Sequence, residues 1–360
     1  MNDSVMQVGG VLSSEIKFTS SIDLIPGSRH TLYVQERDSA GNWSHPGSFR
    51  IQIHGQIGFA VGFLGALIKT NNGGATWDTV HSSIAHEKNS ENLNSVFFTD
   101  ANTGYAVGSK GIIIKTGNGG VTWSRLNSGT SASLTSVYFV DAKTGYSVSE
   151  SGGIIKTNNG GASWDFVASR TNQYLADIFF VDAENGYAVG ANGVIVKTSD
   201  GGVSWDSIPV PTRSNLVSIC FTDANTGYAT GADGTIIKTS NGGSTWKILL
   251  SGTNRWLLSI NFINSEIGYA VGDGGIILKT INGGVNWTEL MSGTSEQLLS
   301  IYFVDVKTGY LGGMHGTVLK TVDGGDSWTV TTNIVTYGGY NSETTIGWNS
   351  VPSFNSVFFP

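Results

Sequence analysis

A pentapeptide of the form Gly-Gly-x-(Thr/Ser/Asn)-Trp recurs seven times along the chain, ending at Trp77, Trp123, Trp164, Trp205, Trp246, Trp287 and Trp328, with one gap of 46 residues followed by five of 41. A fixed period of about 40 residues marks a repeat architecture, in which each copy is one supersecondary unit. Two further columns keep step with the tryptophan. An aromatic after glycine stands 18 residues earlier, at Phe59, Tyr105, Tyr146, Tyr187, Tyr228, Tyr269 and Tyr310, and a Lys-Thr pair recurs from Lys69-Thr70 to Lys320-Thr321. Within one unit, residues 134–171, apolar alternation and Gly/Asn/Asp punctuation predict four strands of four to seven residues, joined by connections short enough for antiparallel hairpins. Such a meander cannot bury both faces of its sheet alone, so it must stack on its neighbours. Seven four-stranded units close into an all-β, seven-bladed β-propeller of four-stranded antiparallel blades.

Closure is legible at the chain ends. No Leu-x-Ser-Val-x-Phe strand precedes Gly58, yet Phe354-Asn-Ser-Val-Phe-Phe359 copies that strand. The expectation is that residues 354–359 complete the first blade; a chain that stops inside an eighth repeat, giving eight blades, is the alternative at this point. Residues 329–353 read as an inserted loop. Residues 1–53 differ in kind, so the predicted domains are 1–53 and 54–360. The composition agrees: 50 Gly, 6 Pro, 39% hydrophobic and 13% charged residues suit short strands and tight turns, and exclude a disordered chain. A net charge of −7 with basic residues spread singly argues against a nucleic-acid partner. The single cysteine, Cys220, cannot form an intramolecular disulfide. No stretch approaches a membrane span, and the opening residues lack the pattern of a secretory signal. Neither membrane insertion nor a self-contained export signal is therefore expected.

The recurring turn, Thr198-Ser-Asp-Gly-Gly-Val-Ser-Trp205 in one copy, resembles the Asp box of bacterial sialidases. The resemblance implies a structural turn: short polar side chains bond the turn's own backbone and the tryptophan packs between blades. Asn72, Asn118, Asn159, Asn241 and Asn282 occupy the Asp position, and only Asp200 and Asp323 keep the acid, a change that preserves backbone bonding but not catalysis. The whole unit is similar to the propellers related to the photosystem II stability and assembly factor, over residues 58–328 and 354–359. Relatives of that group in large secreted bacterial proteins imply, by analogy, an extracellular or cell-surface setting. The stretch from Ile25 to Ile53 resembles the last two strands of a fibronectin type III or immunoglobulin-like module, a partial β-sandwich, which implies a fragment of a larger protein whose other domains are partners.

Chemistry is not prominent. A sialidase needs an arginine cluster, but the propeller's Arg125, Arg170, Arg213 and Arg255 fall in separate units with no surrounding motif. His81 and His86 are the only close histidine pair and sit in an insertion; no metal site and no cofactor are expected. Cys220 takes a strand position filled elsewhere by Phe97, Tyr138, Phe179, Asn261 and Tyr302, as an inert buried thiol. Variation concentrates in the loops between units. The expected recognition face therefore carries Tyr174, Arg213, Arg255 and Trp256, with the turn tips Lys110, Glu150, Asp233, Asp273 and His315 around them, opposite the uniform Gly-Gly-x-x-Trp turns. The favoured reading is a non-catalytic binding or scaffolding module that takes a protein or carbohydrate ligand; a sialidase-like glycoside hydrolase is the alternative.

Overall fold

The computed structural model describes residues 29–34, 47–52, 57–80, 91–331 and 354–360. The chain divides into two compact units, Met1–Gly55 and Gln56–Pro360. In the first, Arg29–Val34 pairs antiparallel with Gly47–Gln52, from Arg29 opposite Gln52 to Val34 opposite Gly47. The rest of the proposed module lies outside the described residues, as do His81, His86 and residues 332–353.

The second unit is a seven-bladed β-propeller of four-stranded antiparallel meanders. Blade three is representative, with strands Leu134–Phe139, Gly145–Ser149, Ile154–Thr157 and Asp165–Val167 in that spatial order. The outer strand holds only three residues, shorter than the sequence pattern suggests, because its outer edge has no strand partner among the described residues and pairing stops where the chain turns away. Blade one is assembled from both ends of the unit: Phe354–Phe358 pairs with Gly58–Gly62, which continues to Leu67–Thr70 and Asp78–Thr79. The first strands touch one another in a closed ring that includes Phe354–Phe358 between Leu298–Phe303 and Leu93–Phe98.

The core lies between blades, since each sheet has two apolar faces. The second strands are wholly buried, and each blade interface repeats one aromatic triad. Tyr146 of blade three stacks on Phe180 of blade four at 4.1 Å, and Trp205 meets Phe180 edge-on at 5.8 Å and 89°. Offset stacking and perpendicular contacts are the favoured geometries of aromatic quadrupoles. A polar clamp accompanies each triad: the Tyr146 hydroxyl and the Lys156 ammonium both donate to the carbonyl of Gly201 in the next blade, each at 2.7 Å. Blade one carries Phe59 instead of tyrosine, so there Lys69 alone bonds Gly119, at 2.7 Å.

Candidate functional site: the loop face of the propeller

Two faces of different construction follow from the strand order. On one, the turn after the third strand docks on the turn after the first: the Gly160 N–H donates to Lys143 and the Gly242 N–H to Asn225. These turns organise themselves. The Thr239 hydroxyl accepts the Gly243 N–H at 2.9 Å, Asn241 Oδ1 accepts the Thr245 N–H at 2.9 Å, and Gly242 and Gly243 hold φ of 62° and 77°, which glycine reaches without steric cost. In the acidic copies, Asp323 accepts the Ser327 hydroxyl and N–H, and these bonds hold its carboxyl down at about 2; those from Ser204 to Asp200 depress that group further. The tryptophans of the turns are buried or nearly so, Trp205 completely. Their indole N–H groups have no hydrogen-bond acceptor among the described residues, so they contribute through packing.

The other face gathers the tips between second and third strands and the loops that lead into each first strand. The residue before each first strand offers its carbonyl to the N–H that opens the tip: Tyr174 to Ala191, Trp256 to Asp273, Gln297 to Met314. At Gly190 a side chain has no room beside this contact, since a Cβ there would lie 1.8 Å from the Tyr174 carbonyl oxygen. The sequence-selected residues thus share a face. Lys110, Asp233 and His315 occupy the apex in left-handed conformation, with φ of 52° to 56°, whereas Glu150 and Asp273 stand one position earlier.

Most of these tips are latched to their own blade rather than free. Glu150 accepts the Ser133 N–H at 3.1 Å, Asp233 accepts the Ser214 hydroxyl at 3.4 Å, Asp273 accepts from the Gln297 amide, and His315 meets Glu296 at 2.6 Å. Arg255 pairs with Glu289 at 3.4 Å. Arg213 and Lys110 have no ion-pair partner among the described residues. Tyr174 and Trp256 remain 44% and 38% exposed, flanking the Asn215 position at the start of three successive first strands. Burial and the nearby Glu150 carboxylate raise the Tyr174 phenol above its ordinary range, so it stays a neutral donor.

Two residues escaped the sequence reading. Asn192, the left-handed apex of blade four, bridges the Gln173 side chain at 2.7 Å and the Asn215 side chain at 2.9 Å. Asp177 replaces the serine that recurs at Ser95, Ser136, Ser218, Ser259, Ser300 and Ser356; that break in a repeated column was its visible signal. Its carboxylate accepts from the Ser136 hydroxyl and from the Ile178 and Ile219 N–H groups, and burial without a cationic partner raises its pKa. Cys220 is buried, and desolvation pushes its thiol far up, which leaves it unreactive. Among the described residues, no group of three or more His, Cys, Asp or Glu side chains could hold a metal.

Fold and faces together define a repeat propeller with one uniform face and one variable face. The chain belongs to the Photosynthesis system II assembly factor YCF48 family, whose model matches residues 48–171, 161–210 and 203–294. Among solved structures, one of YCF48 bound to D1 peptide is similar, with 21% identity, a TM-score of 0.64, and coverage of 74% of this chain and 89% of that one. YCF48 from Cyanidioschyzon merolae matches at 17% identity and a TM-score of 0.56, covering 66% and 84%. A GH74 xyloglucanase from Xanthomonas campestris shares the fold at 12% identity and a TM-score of 0.64, covering 77% of this chain and 52% of that one. No curated protein matches the chain in sequence. These findings correct the expectation of an extracellular or cell-surface setting: the family and both YCF48 structures are those of a photosystem II assembly factor. That expectation rested on secreted proteins of the same fold, and a fold carries no address.

Proposed function

We propose that this chain is a non-catalytic propeller that binds a segment of a partner protein on its loop face, in an assembly or scaffolding role. The observation that carries the reading is the pair of exposed aromatics, Tyr174 and Trp256, on the variable face together with Arg213, which has no ion-pair partner among the described residues. Aromatics and arginine are the usual anchors of protein interfaces. A family relative that binds D1 peptide supports a protein partner. Catalysis by an arginine cluster is disfavoured because Arg125, Arg170 and Arg255 stand in separate blades, each beside a carboxylate of its own, Glu91, Asp206 and Glu289.

The test is fluorescence anisotropy with peptides of candidate partners, starting from D1 peptide, against wild type and an Arg255→Ala, Trp256→Ala double variant. The expected result is binding that weakens about tenfold or more in the double variant, the effect of removing interface anchors. Unchanged affinity defeats the assignment to this face. Hydrolysis of a fluorogenic sialoside or aryl glycoside above a blank overturns the non-catalytic reading.

A further inference from the structure

Three of the positions at which blade three departs from the repeat, Gly153, Phe166 and Arg170, meet in one place. Gly153 stands where other blades carry Ile112, Val194 and Ile276, so a side chain is missing from the floor beneath the tip. Phe166 takes the middle of the outer strand, where Arg125, Ser207 and Glu289 stand in three blades and the aliphatic Ile248 and Val330 in two; it is the aromatic at that position among the described residues and is 65% exposed. Its ring reaches over the gap: a Cβ on Gly153 would lie 3.0 Å from Phe166 Cζ. Arg170 holds a φ of 55° at a position that Gly129, Gly252 and Gly293 occupy in other blades with φ of 73° to 80°. Left-handed backbone is free for glycine and strained for arginine, and such strain concentrates at functional positions.

Residues 151–153 and 166–173 bound an open groove of about 680 Å³ around these three positions. Along it runs Asp165–Val167, whose outer edge has no strand partner among the described residues. Arg170 closes one end. Its Nη1 donates to Asp206 of blade four at 2.6 Å, and its other nitrogens make no hydrogen bond among the described residues. A guanidinium presents five donors in a planar fork, so one carboxylate steadies it and a second can still be received.

We propose that this groove is a second binding site, which takes an extended peptide strand with an apolar side chain over Phe166 and a carboxylate at Arg170. The inference rests on the reading that the partner is a protein segment. Added strands gain affinity from main-chain bonds to a free sheet edge and specificity from side chains seated beside it, which the outer strand, the ring and the guanidinium supply here in sequence.

The experiment selects peptides from a random display library on the whole chain, then measures the recovered peptides against Phe166→Ser, Arg170→Gly and Gly153→Ile. Arg170→Gly and Gly153→Ile copy residues that other blades already carry, so the fold is retained. Each variant is expected to weaken binding about tenfold, as removal of an anchor does. Ile248→Ser, the matching outer-strand change in blade five, leaves binding unchanged. Hydrogen exchange is expected to slow at residues 165–173 when peptide is bound. Peptides that bind all three variants like wild type overturn the groove while leaving a protein-binding propeller standing. Recovery of no peptide overturns both. A glycan-array ligand lost in Phe166→Ser replaces the peptide with a sugar and overturns the proposal.

Discussion

Single residues in this chain are best understood against their six counterparts. Trp205 is fully buried and perpendicular to Phe180, and its N–H has no acceptor among the described residues, so its value is the apolar area it removes from water. Trp205→Ala is expected to cost about 3 to 5 kcal/mol by guanidinium denaturation, the usual penalty for truncating a large core ring. Asp177 points the other way. At five of the interfaces a serine hydroxyl accepts the N–H of the next blade's first strand, as Ser218 does from Ile260 at 3.2 Å. Asp177→Ser restores that pattern: Ile178 can bond Ser136, and Ile219 can bond the new hydroxyl. The folded pKa of Asp177 is raised, so its charge penalises folding fully above that value and not at all below the ordinary aspartate range. The variant is expected to gain about 1 kcal/mol at pH 7, a typical hydrogen-bond-sized term, with the gain shrinking as pH falls; a loss of stability at pH 7 contradicts this account.

Among the elements, turns and interface clamps hold the blades in register. The Gly201 and Gly242 carbonyls each receive a tyrosine hydroxyl and a lysine ammonium from the blade before, so the third-to-outer turn of one blade is fastened by the two middle strands of its neighbour. The ammonium also lies over the tyrosine ring, at 5.4 Å for Lys197 and Tyr187. Desolvation lowers the pKa of Lys238 and Lys320, yet both still donate to carbonyls. The acidic turns add a pH term. Because Asp200 and Asp323 are depressed in the folded state, the stability they supply is complete above the ordinary aspartate pKa and is lost as pH falls through their lowered values. An Asp200→Asn, Asp323→Asn double variant copies the five Asn turns. It is expected to melt like wild type at pH 7 and to lose less stability between pH 4 and pH 2, which thermal melts across that range measure.

For the whole molecule, the decisive element is the strand Phe354–Phe358. It joins both neighbours: the Val357 N–H donates to Ser300 in blade seven at 3.2 Å, and the Asn355 amide donates to the Leu93 carbonyl in blade two at 3.0 Å. Phe359 stacks on Tyr310 at 3.9 Å and meets Trp77 edge-on at 6.0 Å, so the first blade completes its aromatic triad with a residue from the far end of the chain. Deleting residues 354–360 is expected to open the ring and bare the edge of Gly58–Gly62 and two apolar faces. Circular dichroism should then report a melting temperature lower by ten degrees or more, or a broadened transition, because stacked repeats draw stability from their interfaces. A full-length melting curve in the truncated chain contradicts closure by this strand.

Most of the fold was legible because a 41-residue period repeats its turns, its aromatic column and its Lys-Thr pairs in view, and one solution satisfies seven such units. The copy of the first strand at Phe354 even marked where the ring meets itself. The recognition face was legible as to which loops vary, since loop variation is written residue by residue. What the sequence left undecided was which side chains stay available. Glu150, Asp273 and His315 look free in a string of letters, but folding brings each against a partner on the neighbouring loop. Asp177, Gly153 and Arg170 differ from their counterparts by one letter each, and only the tertiary structure turns the last two into the floor and end of a groove. Local pattern dictates strands and turns because their forces act between near neighbours; a site is a meeting of distant residues, and that is decided when the blades close.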